Sequence, residues 1–299
     1  MSVLVVGSIA LDTIQTPFGR VKDALGGSAT YFSLAASLFG GVRLVGVVGR
    51  DFPDQYRQVL VARGIDTLGL VVENGRTFRW NGSYRGAMNE AETLAVELNV
   101  FADFDPRIPA EYADTPYVFL ANGSPRVQRA VRAQLPSAKL VVCDTMNFWI
   151  QNALEELKAL LGEVNGIVLN DQEARMLTGA EVLVDAGSRI LEMGPSFAVI
   201  KKGEHGALLI GPGRVAALPA YPTREVKDPT GAGDSFAGGM MGYIAREEDV
   251  TFAGLKRAMA YGTAVASLTV EGPATAGIMS ATRDDVNSRV RQYMEMLGF

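Results

Sequence analysis

The chain has a single cysteine and a single histidine among its 299 residues, and these two shortages exclude several classes of protein. One thiol cannot form an internal disulfide or a multi-cysteine zinc site. Cys143 lies in an apolar run, where a cysteine behaves as a small buried hydrophobic residue. His205 lies in a turn-like stretch at 202–206, and we interpret it as a solvated loop residue. A Ser-His-Asp mechanism therefore has little support in this sequence.

Long apolar runs and an excess of basic residues are absent as well. No uninterrupted stretch of 18 apolar residues occurs, so we expect no membrane span. The chain has 28 Lys and Arg residues and 33 Asp and Glu residues, so it lacks the excess of positive charge that is typical of nucleic-acid-binding proteins. No cationic segment precedes the first apolar run, so we expect no secretory signal and a cytoplasmic protein.

What the sequence does have is a glycine-rich loop that precedes a helical pattern. Gly231, Ala232 and Gly233 leave the backbone bare, and apolar residues at 236, 240 and 244 predict a helix just after them. Unpaired N–H groups and the positive end of the helix dipole make such a helix start a site for an anion. Asp234 follows in the first turn, where a carboxylate would oppose a bound phosphate unless it accepted a proton from an attacking hydroxyl. This pairing indicates phosphoryl transfer to an alcohol.

Other interpretations of this loop have to be considered. A Gly-Ala-Gly sequence before a helix is often only a tight turn. A dinucleotide-binding fingerprint would need a glycine at position 236, where the chain has Phe236. No Gly-x-x-x-x-Gly-Lys-Ser/Thr run occurs anywhere, so a Walker-type phosphate loop is excluded.

Short, solidly apolar runs recur along the chain, with helical patterns between them. This spacing predicts βαβ units and an α/β fold with a mostly parallel sheet, whose strands are buried on both faces. The expected strands are 3–6, 43–48, 68–72, 117–121, 140–143, 166–169 and a strand ending near 201, followed by a hairpin at 207–210 and 214–218. The expected helices are 29–39, 54–63, 125–135, 149–161, 252–269 and 282–297. No linker or repeat interrupts the chain, so we predict a single domain over residues 1–299.

Residues 77–84 have a different pattern from these solid runs. Phe78, Trp80 and Tyr84 share one parity and polar residues share the other, which predicts a half-exposed antiparallel strand. Residues 94–100 continue with mixed alternation. On pattern alone, this region is either a small separate sheet or an edge hairpin of the main sheet.

Polar residues and glycines follow several of the predicted strands. Asp12 comes soon after the first strand, and ligands of open α/β sheets gather beyond the carboxyl ends of the strands. Gly26 and Gly27 precede a helical pattern in which Ser28 is a candidate N-cap. Two further polar stretches, 122–124 and 144–147, fall on the same edge and either line a ligand site or cap the next helix.

Residues 228–241, Asp-Pro-Thr-Gly-Ala-Gly-Asp-Ser-Phe-Ala-Gly-Gly-Met-Met, resemble the second signature of the ribokinase-like (PfkB) carbohydrate kinases. The resemblance extends over nearly the whole chain. It implies a ribokinase-like fold with a small β lid, formed by segments of approximately 12–25 and 77–100. It also implies ATP and Mg²⁺ as cofactors, and it leaves open activation by a monovalent cation such as K⁺ near residues 270–274. The signature is specific for the family and unspecific for the acceptor, which is a sugar or, as the nearest alternative, a nucleoside.

The same resemblance gives individual residues their expected roles. Asp234 would be the catalytic base, and the N–H groups of Gly231, Ala232 and Gly233 would hold the charge on the transferred group. The residues expected at the acceptor are Asp12, Gly26, Gly27, Ser28, Trp80 and Asn122. The residues expected at ATP are Asn170, Lys201, Gly203, Thr230 and Gly233. Asn170 and Glu173 match the family's Asn-x-x-Glu, which positions Mg²⁺ partly through water, although a plain capping box would have the same spacing.

Two departures from the family pattern limit what the resemblance implies. Ribokinases proper carry Gly-Gly-Lys-Gly-Ala-Asn where residues 26–31 read Gly-Gly-Ser-Ala-Thr-Tyr, so ribose is not the expected acceptor. Lys201 stands where many members have threonine or serine, and it either binds phosphate or is solvated. The outer face of the lid would meet solvent or a second subunit, which leaves a homodimer through the lid open.

Two other functional classes would be expected to have sequence features that differ from those of this chain. A dinucleotide-dependent oxidoreductase would need a glycine fingerprint after the first strand, and residues 7–10, Gly-Ser-Ile-Ala, do not supply one. A non-catalytic sugar- or nucleotide-binding regulator of the same fold would have no need to retain Asp234, Asn170 and Glu173 together. We therefore predict a kinase that binds a small-molecule substrate and neither nucleic acid nor membrane, with a homodimer through the lid left open.

Overall fold

The computed structural model describes residues 1–86, 88–89 and 91–298. Its strands are β1 (Val3–Val6), β2 (Ala10–Thr16), β3 (Gly19–Gly26), β4 (Val42–Gly49), β5 (Ile65–Glu73), β6 (Phe78–Tyr84), β7 (Ala91–Glu97), β8 (Tyr117–Leu120), β9 (Leu140–Asp144), β10 (Gly166–Asn170), β11 (Phe197–Lys201), β12 (Ala207–Gly211) and β13 (Arg214–Leu218). Its helices are α1 (Ser28–Ala36), α2 (Asp54–Ala62), α3 (Pro125–Gln134), α4 (Asn147–Asn152), α5 (Leu154–Leu161), α6 (Asp171–Thr178), α7 (Leu183–Glu192), α8 (Ala232–Glu247), α9 (Phe252–Thr269), α10 (Ala276–Ser280) and α11 (Arg283–Met296). Short 3₁₀ turns lie at Asn99–Phe101, Ala110–Tyr112 and Gly203–His205.

The main sheet has nine strands in the order β13-β12-β11-β10-β9-β8-β1-β4-β5. Seven of these strands run parallel, namely β11, β10, β9, β8, β1, β4 and β5. Strands β12 and β13 form an antiparallel hairpin at one edge. Every residue of β1 and β8 is buried, as solidly apolar central strands require. The predicted α/β fold with a mostly parallel sheet is confirmed.

Helices cover both faces of this sheet and bury two apolar clusters. One cluster joins the sheet to α1, α8, α9 and α11, and in it the rings of Phe32 and Phe119 stack with centroids 4.4 Å apart. The other cluster joins the opposite face to α3, α5, α6 and α7. Each helix therefore lies with its apolar side on the sheet, and the carboxyl ends of the parallel strands remain for the loops that carry polar residues.

Helices α1 and α8 pack so closely that glycine is needed between them. A methyl group on Gly238 would collide with the carbonyl oxygen of Phe32, and one on Gly242 would lie 3.1 Å from the carbonyl oxygen of Ala36. Because later residues of one helix meet later residues of the other, the two helices are parallel. Their N-termini consequently lie at the same end of the molecule.

A second sheet of four strands, in the order β3-β2-β6-β7, lies apart from the main sheet. Strand β6 is antiparallel to β7 and parallel to β2, so the region from 77 onward is not an edge hairpin of the main sheet. Its inner face carries Ile14, Trp80 and Tyr84, which pack with Ala274 from the loop after α9. We call these four strands the small sheet.

Some details of the local predictions were wrong. The N-cap of α1 is Gly27 rather than Ser28, because the Ser28 hydroxyl pairs with that of Ser8 at 3.0 Å. The helix expected at 149–161 is two helices, α4 and α5, which are interrupted at Ala153. Helices α7 and α10 were not foreseen. Among the described residues, no helix combines the length and the apolarity needed to cross a bilayer.

Candidate active site

The glycine-rich loop forms the start of α8, as its composition predicts. Gly231 is the N-cap residue with φ of +71°, and the ring of Tyr31 occupies the space where a side chain at 231 would lie. The N–H of Ala232 donates to the carbonyl oxygen of Pro229 at 3.1 Å. Across the described ranges, the N–H groups of Gly231 and Gly233 have no acceptor within bonding distance. Two of the three expected donors are thus available to an anion.

The loop before α8 is fixed by a buried aspartate. Asp228 is 1% exposed, and its two carboxylate oxygens accept from the N–H of Thr230 at 2.9 Å and of Ala274 at 2.7 Å. The N–H of Lys227 donates to the carbonyl oxygen of Val270 at 2.8 Å. The loop is therefore tied to the turn after α9, and the start of α8 is held in one position.

Four charged side chains meet beside this helix start. Asp234 lies in the first turn of α8, Lys201 ends β11, Asp144 ends β9, and Glu173 lies in the first turn of α6. The Lys201 ammonium is 3.0 Å from the point where a Cβ of residue 233 would lie. Two strand ends and two helix starts thus bring three carboxylates and one ammonium to the anion site.

These groups shift one another's proton affinity. Burial and the charge of Asp144 raise the pKa of Asp234 against the opposing effect of Lys201, and the net result is a pKa of about 7. Burial and the charge of Asp144 likewise raise the pKa of Glu173 to about 7. Burial alone would lower the pKa of Lys201, but Asp144, Glu173 and Asp234 outweigh it, so the pKa is raised and the ammonium stays charged. A carboxylate with a pKa near neutrality is well matched to general-base work at physiological pH.

Asn170 and Glu173 form a complete capping box at the start of α6. The N–H of Asn170 donates to Oε2 of Glu173, and the N–H of Glu173 donates to Oδ1 of Asn170, both at 2.7 Å. In the part of the chain that the structure describes, no cluster of three or more His, Cys, Asp or Glu side chains is arranged for a metal ion. The few hard oxygen donors at 170 and 173 fit Mg²⁺, since this ion keeps waters and relies on substrate phosphates for most of its ligands.

Asp12 lies in β2, opposite this charge cluster. It is 4% exposed, and in the described part of the chain its Oδ1 has no hydrogen-bond partner. Its pKa is raised to about 7, mainly by burial and further by the charges of Asp234 and Asp228, while a hydrogen bond from the Gly27 N–H opposes the shift. Because Gly26 has no side chain, the Asp12 carboxylate can occupy the space where a Cβ of residue 26 would lie. The carboxylate is therefore buried without a cation beside it.

The remaining residues predicted at the acceptor lie in different elements, and each makes its own local contacts. Trp80 lies across Gly82 on the inner face of the small sheet, and its indole N–H donates to Thr93 at 3.2 Å. Ser28 pairs with Ser8 at the start of α1. Asn122 follows β8, and its Oδ1 accepts from the indole N–H of Trp149 at 3.1 Å.

Thr230 connects the small sheet to the anion loop. Its hydroxyl donates to the phenol oxygen of Tyr84 at 3.3 Å. Burial raises the pKa of Tyr84 to about 12, so the phenol remains protonated. Gly203 begins a 3₁₀ turn just beyond Lys201, with φ of +53° and open space where a side chain would lie.

Two cavities are formed by other described residues of the chain. An aromatic cavity of about 200 Å³ lies under the 98–104 segment, between the ends of β1 and β8, and includes Phe101, Phe104 and Trp149 in its lining. A larger groove of about 780 Å³ lies between residues 221–227 and 268–280, with Arg289 and Glu271 paired on its wall at 3.1 Å. The aromatic cavity reaches Gly7 at the end of β1, and the groove reaches Lys227 just before the anion loop.

A comparison with known proteins is decisive at this point. The model of the pfkB family carbohydrate kinases matches residues 2–282. The chain belongs to this family. The cytidine kinase of Thermococcus kodakarensis is 30% identical over 268 residues, which are 86% of this chain and 95% of that protein. As a pfkB family kinase, the protein is a phosphotransferase that acts on a hydroxyl group, and ATP and Mg²⁺ are the cofactors expected of it.

Solved structures of this kinase family have the same fold. The nucleoside kinase of Burkholderia thailandensis in complex with inosine superposes with a TM-score of 0.82 at 21% identity, covering 99% of this chain and 98% of that one. A structure from Escherichia coli that contains ATP and Mg²⁺ superposes with a TM-score of 0.81 at 19% identity, covering 97% and 99%. At these identities the likeness concerns the fold alone.

Two residues of the site were not assigned from the sequence. Asp144 was noted only as part of a polar stretch at a strand end, and its charge now proves to act on Lys201, Glu173 and Asp234. Tyr31 appears in the sequence analysis only as the last residue of the stretch 26–31, yet its ring contacts the glycine at the start of α8. The departure of residues 26–31 from the ribokinase pattern was the available signal for Tyr31.

Proposed function

We propose that this kinase transfers the γ-phosphate of ATP to a hydroxyl group of a nucleoside, with a free sugar as the second candidate. The observation that carries the choice is the aromatic cavity, whose lining includes Gly7 at the end of β1 and Ala121 at the end of β8. A free sugar has no flat apolar part that needs such a cavity, whereas a nucleobase does. The sequence resemblance by itself favours a sugar, and the cytidine kinase similarity supports the nucleoside.

In this proposal Asp234 takes the proton of the acceptor hydroxyl as the phosphoryl group arrives. The transition state of such a transfer is loose, so the base acts late and an ordinary carboxylate suffices. The N–H groups of Gly231 and Gly233 donate to the oxygens of the transferred group, and the Lys201 ammonium lies beside them to offset the charge. Loss of one such donor costs about 3–4 kcal/mol in well-studied oxyanion holes.

The nucleotide is proposed to span from the start of α8 to the larger groove. Thr230 and Gly203 lie along this path, and the groove between 221–227 and 268–280 would take the adenine end. Asn170 and Glu173 would hold Mg²⁺ with its waters, and the bound ion neutralises phosphate charge. A monovalent cation near 270–274 is a further expectation from the family resemblance.

The acceptor is proposed to lie with its hydroxyls at Asp12 and its base in the aromatic cavity. Gly7 belongs to the cavity wall, and a methyl group there would lie 3.2 Å from the Ser28 hydroxyl, at the start of α1. The rings of Phe101 and Phe104 stack with centroids 5.6 Å apart, and the bond to Asn122 fixes the indole of Trp149. Base stacking on aromatic side chains contributes roughly 1–3 kcal/mol per base, which is ample to choose a nucleoside over its sugar.

The small sheet is proposed to act as the lid over this acceptor. Its inner face already meets the main body at Ala274 and through the Tyr84–Thr230 hydrogen bond. A lid in this position would exclude water from the transfer step. Its outer face would be free for a second subunit, which is the way a homodimer would form.

A coupled ADP-release assay over nucleosides and their parent sugars tests the acceptor. We expect turnover of one or more nucleosides with kcat/KM well above that of the free sugar. In Phe101→Ala this preference should shrink because the stacking wall is lost, whereas Phe18→Ala, which removes an exposed ring at the β2–β3 turn, should not change it. Turnover of free sugars alone would favour the second candidate, and no ADP release with either class would contradict the proposal.

A further inference from the structure

Gln128 lies in α3 and forms part of the wall of the aromatic cavity. It is 4% exposed, and its Nε2 donates to the carbonyl oxygens of Leu120, Ala121 and Asp144 at 3.0, 3.1 and 2.9 Å. These carbonyl groups lie at the ends of β8 and β9, at the edge where ligands of open α/β sheets gather. The amide of Gln128 is therefore fixed at the ligand edge of the main sheet.

The oxygen of the same amide has no partner. Among the residues that the structure describes, no group donates a hydrogen bond to Oε1 of Gln128, and this oxygen is buried. The reverse orientation of the amide would direct Oε1 at three carbonyl oxygens, all of them acceptors, so the orientation is fixed by the bonds of Nε2. A buried carbonyl oxygen without a donor costs free energy, and native proteins keep few of them. Oε1 is thus a hydrogen-bond acceptor that the chain itself leaves available.

The rest of the cavity wall differs from Gln128. Apart from two glycines, the other described residues of the lining are apolar or aromatic, with the exceptions of Ser124 and Arg126. Ser124 is half-buried and Arg126 is exposed, so water can reach both side chains. The indole N–H of Trp149 already donates to Asn122. The wall therefore combines a surface for stacking with a buried acceptor, and such sparse polar groups are the ones that fix a ligand's orientation in an apolar pocket.

We propose that Gln128 selects nucleosides whose base carries an N–H donor, which Oε1 accepts while the ring lies against Phe101 and Phe104. The proposal rests on the proposed function, because it specifies the base that the aromatic cavity takes. The amino groups of cytosine and adenine and the ring N–H of uracil and hypoxanthine are such donors. A base without an N–H leaves Oε1 unpaired, and a site built to bond an N–H rejects such an analogue far more strongly than an apolar pocket can.

The test compares pairs of nucleosides that share the same ribose and differ at the N–H group of the base. Cytidine is paired with pyrimidin-2-one riboside, adenosine with purine riboside, and uridine and inosine with their ring N-methyl forms. Titration calorimetry and kcat/KM are measured for each. The wild-type enzyme should prefer the N–H form of the bases that it takes by about 10- to 100-fold.

Two substitutions of Gln128 should abolish this preference. Gln128→Met keeps the length of the side chain and removes the amide, and the two forms of the base should then differ by no more than about threefold. Gln128→Lys can still donate to the three carbonyl oxygens but cannot accept a hydrogen bond, so it should lose the preference in the same way. It covers the case in which Gln128→Met does not fold. If neither variant folds, the ratios of the wild-type enzyme decide alone.

Gln134→Met is the matched control, because Gln134 lies in the same helix and its Oε1 already accepts from the N–H of Ile108 at 3.0 Å. It should leave the preference unchanged. Equal kcat/KM for both forms of a base in the wild-type enzyme would overturn this inference while the proposed function stands. An undiminished preference in a folded Gln128 variant would also overturn it, because the N–H would then be bound elsewhere. Failure of the wild-type enzyme to bind or phosphorylate any of these nucleosides would overturn this inference and the nucleoside acceptor together.

Discussion

The two ends of the cleft are built in different ways. At the transfer end, the charges of Asp144 and Lys201 act on Glu173 and Asp234, and the backbone is fixed by Asp228. At the acceptor end, Asp12 and Tyr31 are buried with polar atoms unpaired. The groups at the proposed transfer end are thus held by one another before any ligand arrives, whereas the proposed acceptor end keeps unpaired polar atoms that a ligand would complete. Chemistry and substrate choice should therefore respond separately to mutation.

The strongest test of this separation is Asp234→Asn. The amide keeps the shape of the side chain but cannot accept the proton, and general-base assistance is worth roughly 10²–10⁴ in rate. We expect kcat to fall by about that factor, with the KM of the acceptor nearly unchanged. Steady-state kinetics measure both.

Asp284→Asn is the control for loss of a carboxylate in the first turn of a helix, here α11. Such a charge stabilises a helix N-terminus by roughly 0.3–1 kcal/mol and plays no part in transfer. If Asp234→Asn resembled this control, with slightly lower stability and nearly full activity, Asp234 would be only a helix-stabilising residue.

The Glu173→Gln variant distinguishes the helix-capping role of Glu173 from its proposed role in binding Mg²⁺. Glutamine can still accept the hydrogen bond from the N–H of Asn170, so we expect little change in melting temperature. The magnesium concentration for half-maximal activity should rise by roughly tenfold or more, because the site loses a charge that favours Mg²⁺. An earlier melting transition with unchanged magnesium dependence would contradict the metal role. Asp285→Asn, in the capping box of α11, is the matched control.

The pH dependence of kcat/KM tests the charge balance itself. Asp234 must be ionised to act as a base, and its pKa is about 7 in the free enzyme. The value of kcat/KM should therefore fall as the pH decreases through about 7. Asp144→Asn removes a neighbouring negative charge, so the midpoint of that decline should move to lower pH. A midpoint that does not move would show that Asp144 does not act on Asp234.

The smallest expected effect is on stability, at the acceptor end. Asp12 has a pKa of about 7 when folded against an ordinary 3.8, so the folded chain favours its protonated form. The cost of ionised Asp12 is fully present above pH 7 and disappears as the pH falls toward 4. Asp12→Asn should therefore raise the melting temperature by a few degrees at pH 8.5 and hardly at all at pH 4.5.

Exposed Asp103 supplies the control for this measurement, since Asp103→Asn should change the melting temperature little at either pH. A decrease in stability of Asp12→Asn at pH 8.5 would contradict the unpaired state of the carboxylate. It would also weaken the contrast between the two ends of the cleft.

Much of the transfer end could be predicted from the sequence because its parts are contiguous. The bare backbone at 231–233, the carboxylate at 234 and the helix that follows are set by local rules of helix starts. The strand ends at 170 and 201 followed from solid apolar runs, which have only one arrangement in a parallel sheet. Local patterns failed where a tertiary contact competed, as when Ser28 bonded to Ser8 instead of capping α1.

The sequence by itself determined the α/β fold, the family and the position of Asp234 at a helix N-terminus. Only the tertiary structure decided that Asp144 acts on Lys201, that Tyr31 lies on Gly231, and that the strands from 77 onward form a sheet of their own. The physical reason is how far apart along the chain the interacting residues lie. Helix starts and buried strands depend on neighbours a few residues away, whereas burial, charge coupling and unpaired polar atoms depend on groups that the fold brings together from distant parts of the chain.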